Sequence, residues 1–283
     1  MKNKPMPLIS VIVAVLNGAE ILEQCIESVN GQTYTNKELI IIDGGSNDGT
    51  VDLLKANDDK VSYWISEPDS GIYSAFNKGL VQAKGEWICF LGADDYFWDS
   101  QVLARMSDYL MKLPPIICVA YGQVMVVNAG GEKICLLGEP WGKTEDRFRQ
   151  ILLYMPHQGV MHRRILFEQH GQFDEFFRIT GDNELLLREL KTADAFFIPD
   201  IVIAAMRQGG ISSEINNFLV VMRETRRIAK IHNQCLPKSY CFIEMSKGYM
   251  KLLLLVILGK QLAMKLLNYY SRAKRIRQFG KRI

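Results

Sequence analysis

Trp87-Ile88-Cys89-Phe90-Leu91-Gly92-Ala93-Asp94-Asp95 is an apolar run of strand type that stops at a small-residue turn and two adjacent carboxylates. Continuous hydrophobicity of this length marks a strand buried on both faces. Acids delivered at the carboxyl end of such a strand stand where open α/β sheets bind ligands. Neighbouring Asp side chains beside a Gly-Ala turn suit a hard divalent cation, because Mg²⁺ and Mn²⁺ prefer carboxylate oxygen. The plainer reading is a solvated turn in which Asp94 or Asp95 caps the next element. The sequence on either side separates the two.

Upstream, the pattern recurs. Leu8 to Val15 is a second continuous apolar run, closed by Asn17-Gly18, and Ala19 to Asn30 has helical spacing with Leu22, Cys25, Ile26 and Val29 on one side. Leu39-Ile40-Ile41-Ile42 ends in the turn-rich loop Asp43-Gly44-Gly45-Ser46-Asn47-Asp48-Gly49-Thr50, which opens a helix at Thr50 to Ala56. Val61 to Ile65 is a short strand followed by Ser66-Glu67-Pro68-Asp69-Ser70-Gly71, and Ile72 to Ala83 is again helical in spacing. Four strands alternating with helices over the first ~100 residues predict a mostly parallel, doubly wound sheet with its site at the strand carboxyl ends. Three of those strands end in acid-bearing loops: Asp43, Asp69, and Asp94 with Asp95. One such loop is unremarkable; three on one rim predict a site.

Downstream the pattern is less regular. Ile116 to Val127 and Lys133 to Leu137 read as strands able to form a hairpin, and Tyr154 to Met161 as a loop entering a strand. Arg164 to His170 reads as a short helix. Thr180-Gly181-Asp182-Asn183-Glu184 opens a helix through Leu190 with acids in its first turn, as the helix dipole favours. Phe196-Phe197-Ile198-Pro199 is a late strand, and Gln208-Gly209-Gly210-Ile211-Ser212 a further loop.

Hydrophobic and charged fractions of 48% and 23% over 283 residues exclude a disordered chain. The net charge of +3 hides an asymmetry: Tyr240 to Ile283 carries ten basic residues against the single acid Glu244, leaving an acidic body. Within that segment Leu252 to Leu258 is strongly apolar but bracketed by Lys251 and Lys260, too short for a span of about 20 residues. An apolar helix with a polybasic end fits the surface of an anionic membrane; a helix packed on its own domain is the alternative. The six cysteines are scattered without a C-x-x-C pair and predict free core thiols in a reducing compartment. With no apolar signal segment behind Met1-Lys2-Asn3-Lys4, a cytoplasmic location is expected.

The ordered set Ser10 to Asn17, Ile42 to Thr50, Glu67 to Tyr73 with Asn77-Lys78-Gly79, and Gly92-Ala93-Asp94-Asp95 resembles glycosyltransferase family 2, in its bacterial polysaccharide-synthesis branch. His157-Gln158, Gly171-Gln172-Phe173-Asp174 and Asp182 to Arg188 continue the resemblance, which covers about residues 7 to 215. It implies a GT-A fold over 1–215, with a donor half (1–100) and an acceptor half (101–215); the composition of 216–283 adds the expectation of a helical, basic, membrane-associating segment. It implies an inverting transferase that moves a hexosyl or N-acetylhexosaminyl group from a nucleotide sugar, a UDP-sugar foremost, to a lipid-linked saccharide during surface polysaccharide synthesis. No nucleic-acid partner is expected, and the enzyme is placed peripherally on the inner face of the cell membrane.

The resemblance also distributes roles. Asp94, with Asp95 in support, holds Mg²⁺ or Mn²⁺ against the donor diphosphate, although Gly92 stands where the family has another Asp. Asp43 and Asp69 take the nucleotide's base and ribose, whose N–H and hydroxyl groups a carboxylate accepts. Asn17 reaches the nucleotide or forms the turn, and Arg207 takes the diphosphate. Asp182 is the general base that removes the acceptor's proton on the face opposite the leaving group, the geometry of inversion. A capping role at a helix start is its alternative, worth about 1 kcal/mol. Gly181 replaces the family's Glu beside it. His157 and Glu184 are assigned to the acceptor side. The two departures at Gly92 and Gly181 keep a second class open, a non-catalytic nucleotide-sugar-binding scaffold. A nucleotidyltransferase is disfavoured because no Gly-rich, Lys- or Arg-bearing phosphate loop follows the first strand.

Overall fold

The computed structural model describes residues 5–151, 155–210 and 217–279, and for 260–261 and 263–279 the backbone alone. Its elements in order are β1 (Ile9–Val15), α1 (Leu22–Asn30), β2 (Lys37–Asp43), α2 (Thr50–Ala56), β3 (Tyr63–Ser66), α3 (Ile72–Gln82), β4 (Trp87–Gly92), β5 (Tyr96–Phe97) and α4 (Val102–Leu110). They continue as β6 (Val119–Val127), β7 (Lys133–Leu137), α5 (Trp141–Arg149), β8 (Val160–Arg163), α6 (Arg164–His170), α7 (Gly181–Leu190), β9 (Ala195–Arg207), α8 (Phe218–Ile231) and α9 (Lys238–Phe279). Tyr154, Ile211, Ser212 and the expected domain boundary at 215/216 lie outside the described residues.

The described strands form one sheet in the order β3-β2-β1-β4-β8-β6-β9-β5, with β7 added to β6. β1 to β4 pair in parallel, as their alternation with helices requires. β8 then runs antiparallel between β4 and β6, and β5 antiparallel to β9. The apolar runs are strands with two buried faces. Trp87, Cys89 and Leu91 of β4 join Ile9, Val11 and Val13 of β1 in one core cluster with α1 and α4. Ile88 and Phe90 join Ile12, Ile40 and Ile42 in a second, against α3, α6 and α7. Period-two alternation thus feeds both layers of helices.

β9 is longer than the expected Phe196–Pro199 strand. Its pairing with β6 shifts register between Tyr121 and Gln123, which lets Pro199, with no N–H to give, and Asp200, at φ +60°, pass through. The strand then resumes from Val202 to Arg207 and carries Arg207 to the rim.

α8, the first helix of the segment expected to form a separate tail, packs into the domain instead. Ile228 and Ala229 lie in the same cluster as Phe90 and Leu186. α9 meets α8 through Phe218 and Tyr249, whose rings are 5.5 Å apart, and turns at Gly259, which adopts φ +71°. Beyond that contact its described apolar side chains Met250, Leu253, Val256, Ile257 and Leu262 are exposed. No helix among the described residues is long and apolar enough to cross a membrane.

Candidate active site

The parallel register brings the acid-bearing loops to one level. Val15 stands opposite Asp43, Ala14 opposite Gly92, and Asp43 opposite Ser66. The loops that follow these strand ends make a single rim, as an open sheet dictates.

On one side of the rim, the first and second loops are stitched together. Asn17, at φ +52°, donates its backbone N–H to Ser46 Oγ (2.7 Å) and accepts the Asn47 N–H at its own Oδ1 (3.1 Å). Asp48 accepts from Thr50 and from the Ala19 amide, bonds that hold its carboxyl below the usual range. Asp43 is fully buried. Its Oδ2 accepts from the Gly45 and Ser46 amides and from Ser66 Oγ (2.6 Å), and its Oδ1 from Ser46 Oγ. Asp69 leans over Gly44, close enough that a Cβ there would lie 2.8 Å from its Oδ2, and it accepts the Gly71 amide. Asp43, Asp48 and Asn17 thus all bond within the turn, and Asp69, half-buried, is more open than Asp43.

At the centre stand Asp94 and Asp95. The space a Cβ would need at Gly92 is bordered by Asp94 Oδ1 at 2.7 Å and Asp95 Oδ2 at 3.0 Å. The glycine that departs from the family pattern thus leaves room for two carboxylates to converge. Asp95 is buried, and its oxygens accept the Gly92 and Arg207 amides (both 3.3 Å) and the Gln158 side chain. Burial, and then the neighbouring Asp94, push its carboxyl well above the ordinary range. Burial raises Asp94 too, while the Arg207 guanidinium opposes that rise. Arg207 lies with its guanidinium 6.0 Å from the Tyr96 ring, bonds Gln24, and has a buried Nε with no partner among the described residues. A carboxylate pair with one buried member gains when a cation shares its charge, so the donor set fits Mg²⁺ or Mn²⁺. The described residues include no cluster of three His, Cys, Asp or Glu ligands, which leaves the remaining positions of a hard cation to water and phosphate oxygens.

Asp182 stands on the other side. It is the second residue of α7, half-buried, and its Oδ1 accepts from the Tyr73 hydroxyl (3.2 Å) and the Asn183 side chain (3.1 Å). Burial raises its carboxyl to about 6, against the hydrogen bonds that lower it. Two connections tie it to the rim. Tyr73 lies four residues past Asp69. Asn183 Oδ1 accepts the Met155 amide (3.2 Å), and three residues further along that same loop Gln158 bonds Asp95. That one short stretch, at most about 10 Å over three residues, thus bonds both the neighbour of Asp182 and the carboxylate pair.

The glycine beside Asp182 has a packing cause. A Cβ at Gly181 would meet ring atoms of Tyr73 at 2.8 to 3.0 Å, and that ring is itself buried and stacked on Phe173 at 5.4 Å. Gly181→Ala is expected to destabilise the fold by about 1–3 kcal/mol, the usual scale of overpacking, and thermal denaturation measures it.

Two expected site residues lie elsewhere. His157 is buried under the cleft, stacked on Phe90 at 5.2 Å, with its Nε2 3.0 Å from that of His162. Burial pushes its imidazole down to about 3, so it is a neutral core residue. Glu184 is buried in a network with Arg188 and His232. Residues two apart on a helix point away from each other, which separates it from Asp182. Tyr73, Gln158 and Asn183, which hold the site together, were within quoted motifs but had no assigned role.

A carboxylate pair on the carboxyl rim of an open α/β sheet stands where such sheets bind ligands. The chain belongs to glycosyltransferase family 2: residues 10–170 match Glycosyl transferase family 2. A PGL/p-HBAD biosynthesis glycosyltransferase of Mycobacterium bovis (strain BCG / Pasteur 1173P2) is 30% identical over 215 residues, covering 74% of this chain and 80% of the relative. An uncharacterized glycosyltransferase of Mycobacterium tuberculosis (strain CDC 1551 / Oshkosh) is 28% identical over 232 residues, covering 81% and 85%. In fold, the chain resembles S. aureus TarS 1-349 in complex with UDP-GlcNAc, with a TM-score of 0.62, 18% identity, and coverage of 85% of this chain and 71% of that one. It also resembles the mannosyltransferase PcManGT from Pyrobaculum calidifontis in complex with GDP-Man and Mn²⁺, with a TM-score of 0.59, 17% identity and coverage of 94% and 79%.

Proposed function

We propose that this chain is an inverting glycosyltransferase that moves a hexosyl or N-acetylhexosaminyl group from a nucleotide sugar, a UDP-sugar foremost, to a lipid-linked saccharide of a surface polysaccharide. The observation that carries the reading is Asp182. It is a single carboxylate raised to about 6, aimed by the Tyr73 hydroxyl, and joined through the 155–158 loop to the carboxylate pair. In this reading Asp182 takes the proton of the acceptor hydroxyl as that oxygen attacks the anomeric carbon, and the nucleoside diphosphate leaves on the opposite face. One base and one displacement invert the centre. Arg207 and the loop amides orient the diphosphate, while Asp69 and Asn17 flank the nucleoside. Mg²⁺ or Mn²⁺, held by Asp94 with Asp95 behind it, would supply Lewis-acid neutralisation of the leaving group. The complexes of TarS with UDP-GlcNAc and of PcManGT with GDP-Man and Mn²⁺ support a nucleotide-sugar donor and a divalent ion, and the mycobacterial relative supports glycosyl transfer in a biosynthetic pathway.

The test is nucleotide release and product analysis with UDP-glucose, UDP-GlcNAc and GDP-mannose, Mn²⁺, and a polyprenyl-diphosphate-linked monosaccharide as acceptor. A product of inverted anomeric configuration is expected. Donor binding without product or hydrolysis would favour the scaffold reading. Gly92 and Gly181 are the features that favour that reading, and the packing around each, carboxylates at Gly92 and the Tyr73 ring at Gly181, is compatible with either one.

The reading places the enzyme peripherally on the inner membrane face through the exposed apolar side chains of α9 and the basic run beyond them. Deleting residues 260–283, which spares the α8–α9 contact, is expected to lower cosedimentation with phosphatidylglycerol vesicles at least about tenfold, at ~1 kcal/mol per basic residue. Unchanged cosedimentation would sink the membrane role.

A further inference from the structure

α8 lies beyond the residues that match the family and beyond every motif tied to the reaction, yet it holds the segment that leads into the base. Glu224 is buried on α8, and four donors converge on its carboxylate. Its Oε1 accepts the Arg178 amide (2.7 Å), and its Oε2 accepts the Ile179 amide (3.1 Å), the Thr180 amide (2.9 Å) and the Thr180 hydroxyl (3.0 Å). Thr180 is the residue before α7, and Asp182 follows two positions later. One helical turn further along α8, Arg227 bonds Asp174 Oδ2 (3.1 Å) and lies 4.8 Å from the Phe177 ring. The opposite side of the same loop is tied to the cleft through Glu175, which accepts from Asn77 (2.9 Å) and Ser70 (3.3 Å). Thr180, the natural side chain to cap α7, gives its hydroxyl to Glu224 instead.

We propose that Glu224 is a positioning residue for glycosyl transfer: by gathering the 178–180 amides it fixes the start of α7 and with it the place of Asp182 in the cleft. The proposal rests on the reading of Asp182 as the base. A core carboxylate serving stability alone could be met by any loop. Here three consecutive amides and a hydroxyl, all immediately ahead of Asp182, are collected by one group. Displacing a catalytic group by about 1 Å costs on the order of 10²-fold in rate.

The test is Glu224→Gln, which keeps the shape but presents an amide NH₂ where only donors converge. With the nucleotide-release assay above, kcat is expected to fall about 10- to 100-fold while the donor Kd from calorimetry stays within roughly threefold. Donor contacts lie on loops Glu224 does not touch. In an Asp182→Asn background the same change is expected to alter the residual rate by less than about twofold, because two residues acting as one unit are not additive. A Glu224→Gln protein with wild-type kcat beside an inactive Asp182→Asn overturns this proposal alone. So does an equal loss in both backgrounds, which is what a purely structural role would produce. Full turnover by Asp182→Asn overturns the base assignment, and this proposal with it. If Glu224→Gln does not fold, Thr180→Val removes one of the four bonds; a smaller loss with the same non-additivity supports the proposal, and wild-type kcat overturns it.

Discussion

Asp182→Asn is expected to lower kcat by about 10³-fold, within the 10²- to 10⁴-fold range of general-base catalysis, and to leave donor affinity within roughly threefold. Asparagine keeps the size of the side chain and its bonds to Tyr73 and Asn183, so the loss reports the proton acceptor itself. The pH profile carries the same information. A base works deprotonated, and Asp182 titrates near 6 because burial opposes its charge. In the wild type, kcat/KM is therefore expected to be flat above about pH 7 and to fall tenfold per unit below about pH 6. Tyr73 donates a bond to the ionised form and holds the carboxyl down. Tyr73→Phe should thus move the acid limb upward. An unchanged limb in that variant, or full activity in Asp182→Asn, would remove Asp182 from the mechanism.

Asp94→Ala is expected to lower kcat/KM about 10²-fold, or about 2.7 kcal/mol of transition-state stabilisation, and to abolish the response to metal. The wild-type rate should collapse on chelation and return with Mn²⁺; the variant should be slow throughout. Asp94 is the member of the pair to remove because it is half-exposed to the cleft, whereas Asp95 is buried and bonded to Gly92, Arg207 and Gln158. Asp95→Asn would confound loss of a ligand with loosening of the rim. A chelation response that persists in Asp94→Ala would place the ion elsewhere.

The two departures from the family pattern illustrate what a linear reading misses. At Gly92 and Gly181 a missing acid reads as a missing function. In three dimensions each glycine yields its Cβ space to other side chains, Asp94 and Asp95 in one case and Tyr73 in the other. Tyr73 and Asp182 are 109 residues apart, and no local spacing couples them.

His157 and Glu184 illustrate the converse. Both stood in motifs beside other candidate site residues, and both are satisfied inside the fold, His157 by His162 and the aromatic cluster, Glu184 by Arg188 and His232. Whether a polar side chain faces a cleft or a core depends on neighbours brought by other strands, so adjacency along the chain does not decide it.

The parallel core of the domain was legible from residue order alone. Apolar runs of strand length, broken by turn-forming residues and alternating with amphipathic stretches, have few ways to bury both faces, and the doubly wound sheet with its acid loops on one rim follows. Hydrophobic burial is a local property of pattern, which is why it can be read so early. The membership of α8 in the domain, the convergence of Asp94 with Asp95, the bond of Tyr73 to Asp182 and the hold of Glu224 on residues 178–180 depended on long-range packing. Those are matters of distance and direction between segments that share no local pattern, and they exist only once the chain has closed on itself. The stretch ending in Asp94-Asp95 announced the rim; only the folded chain brought Tyr73 to Asp182.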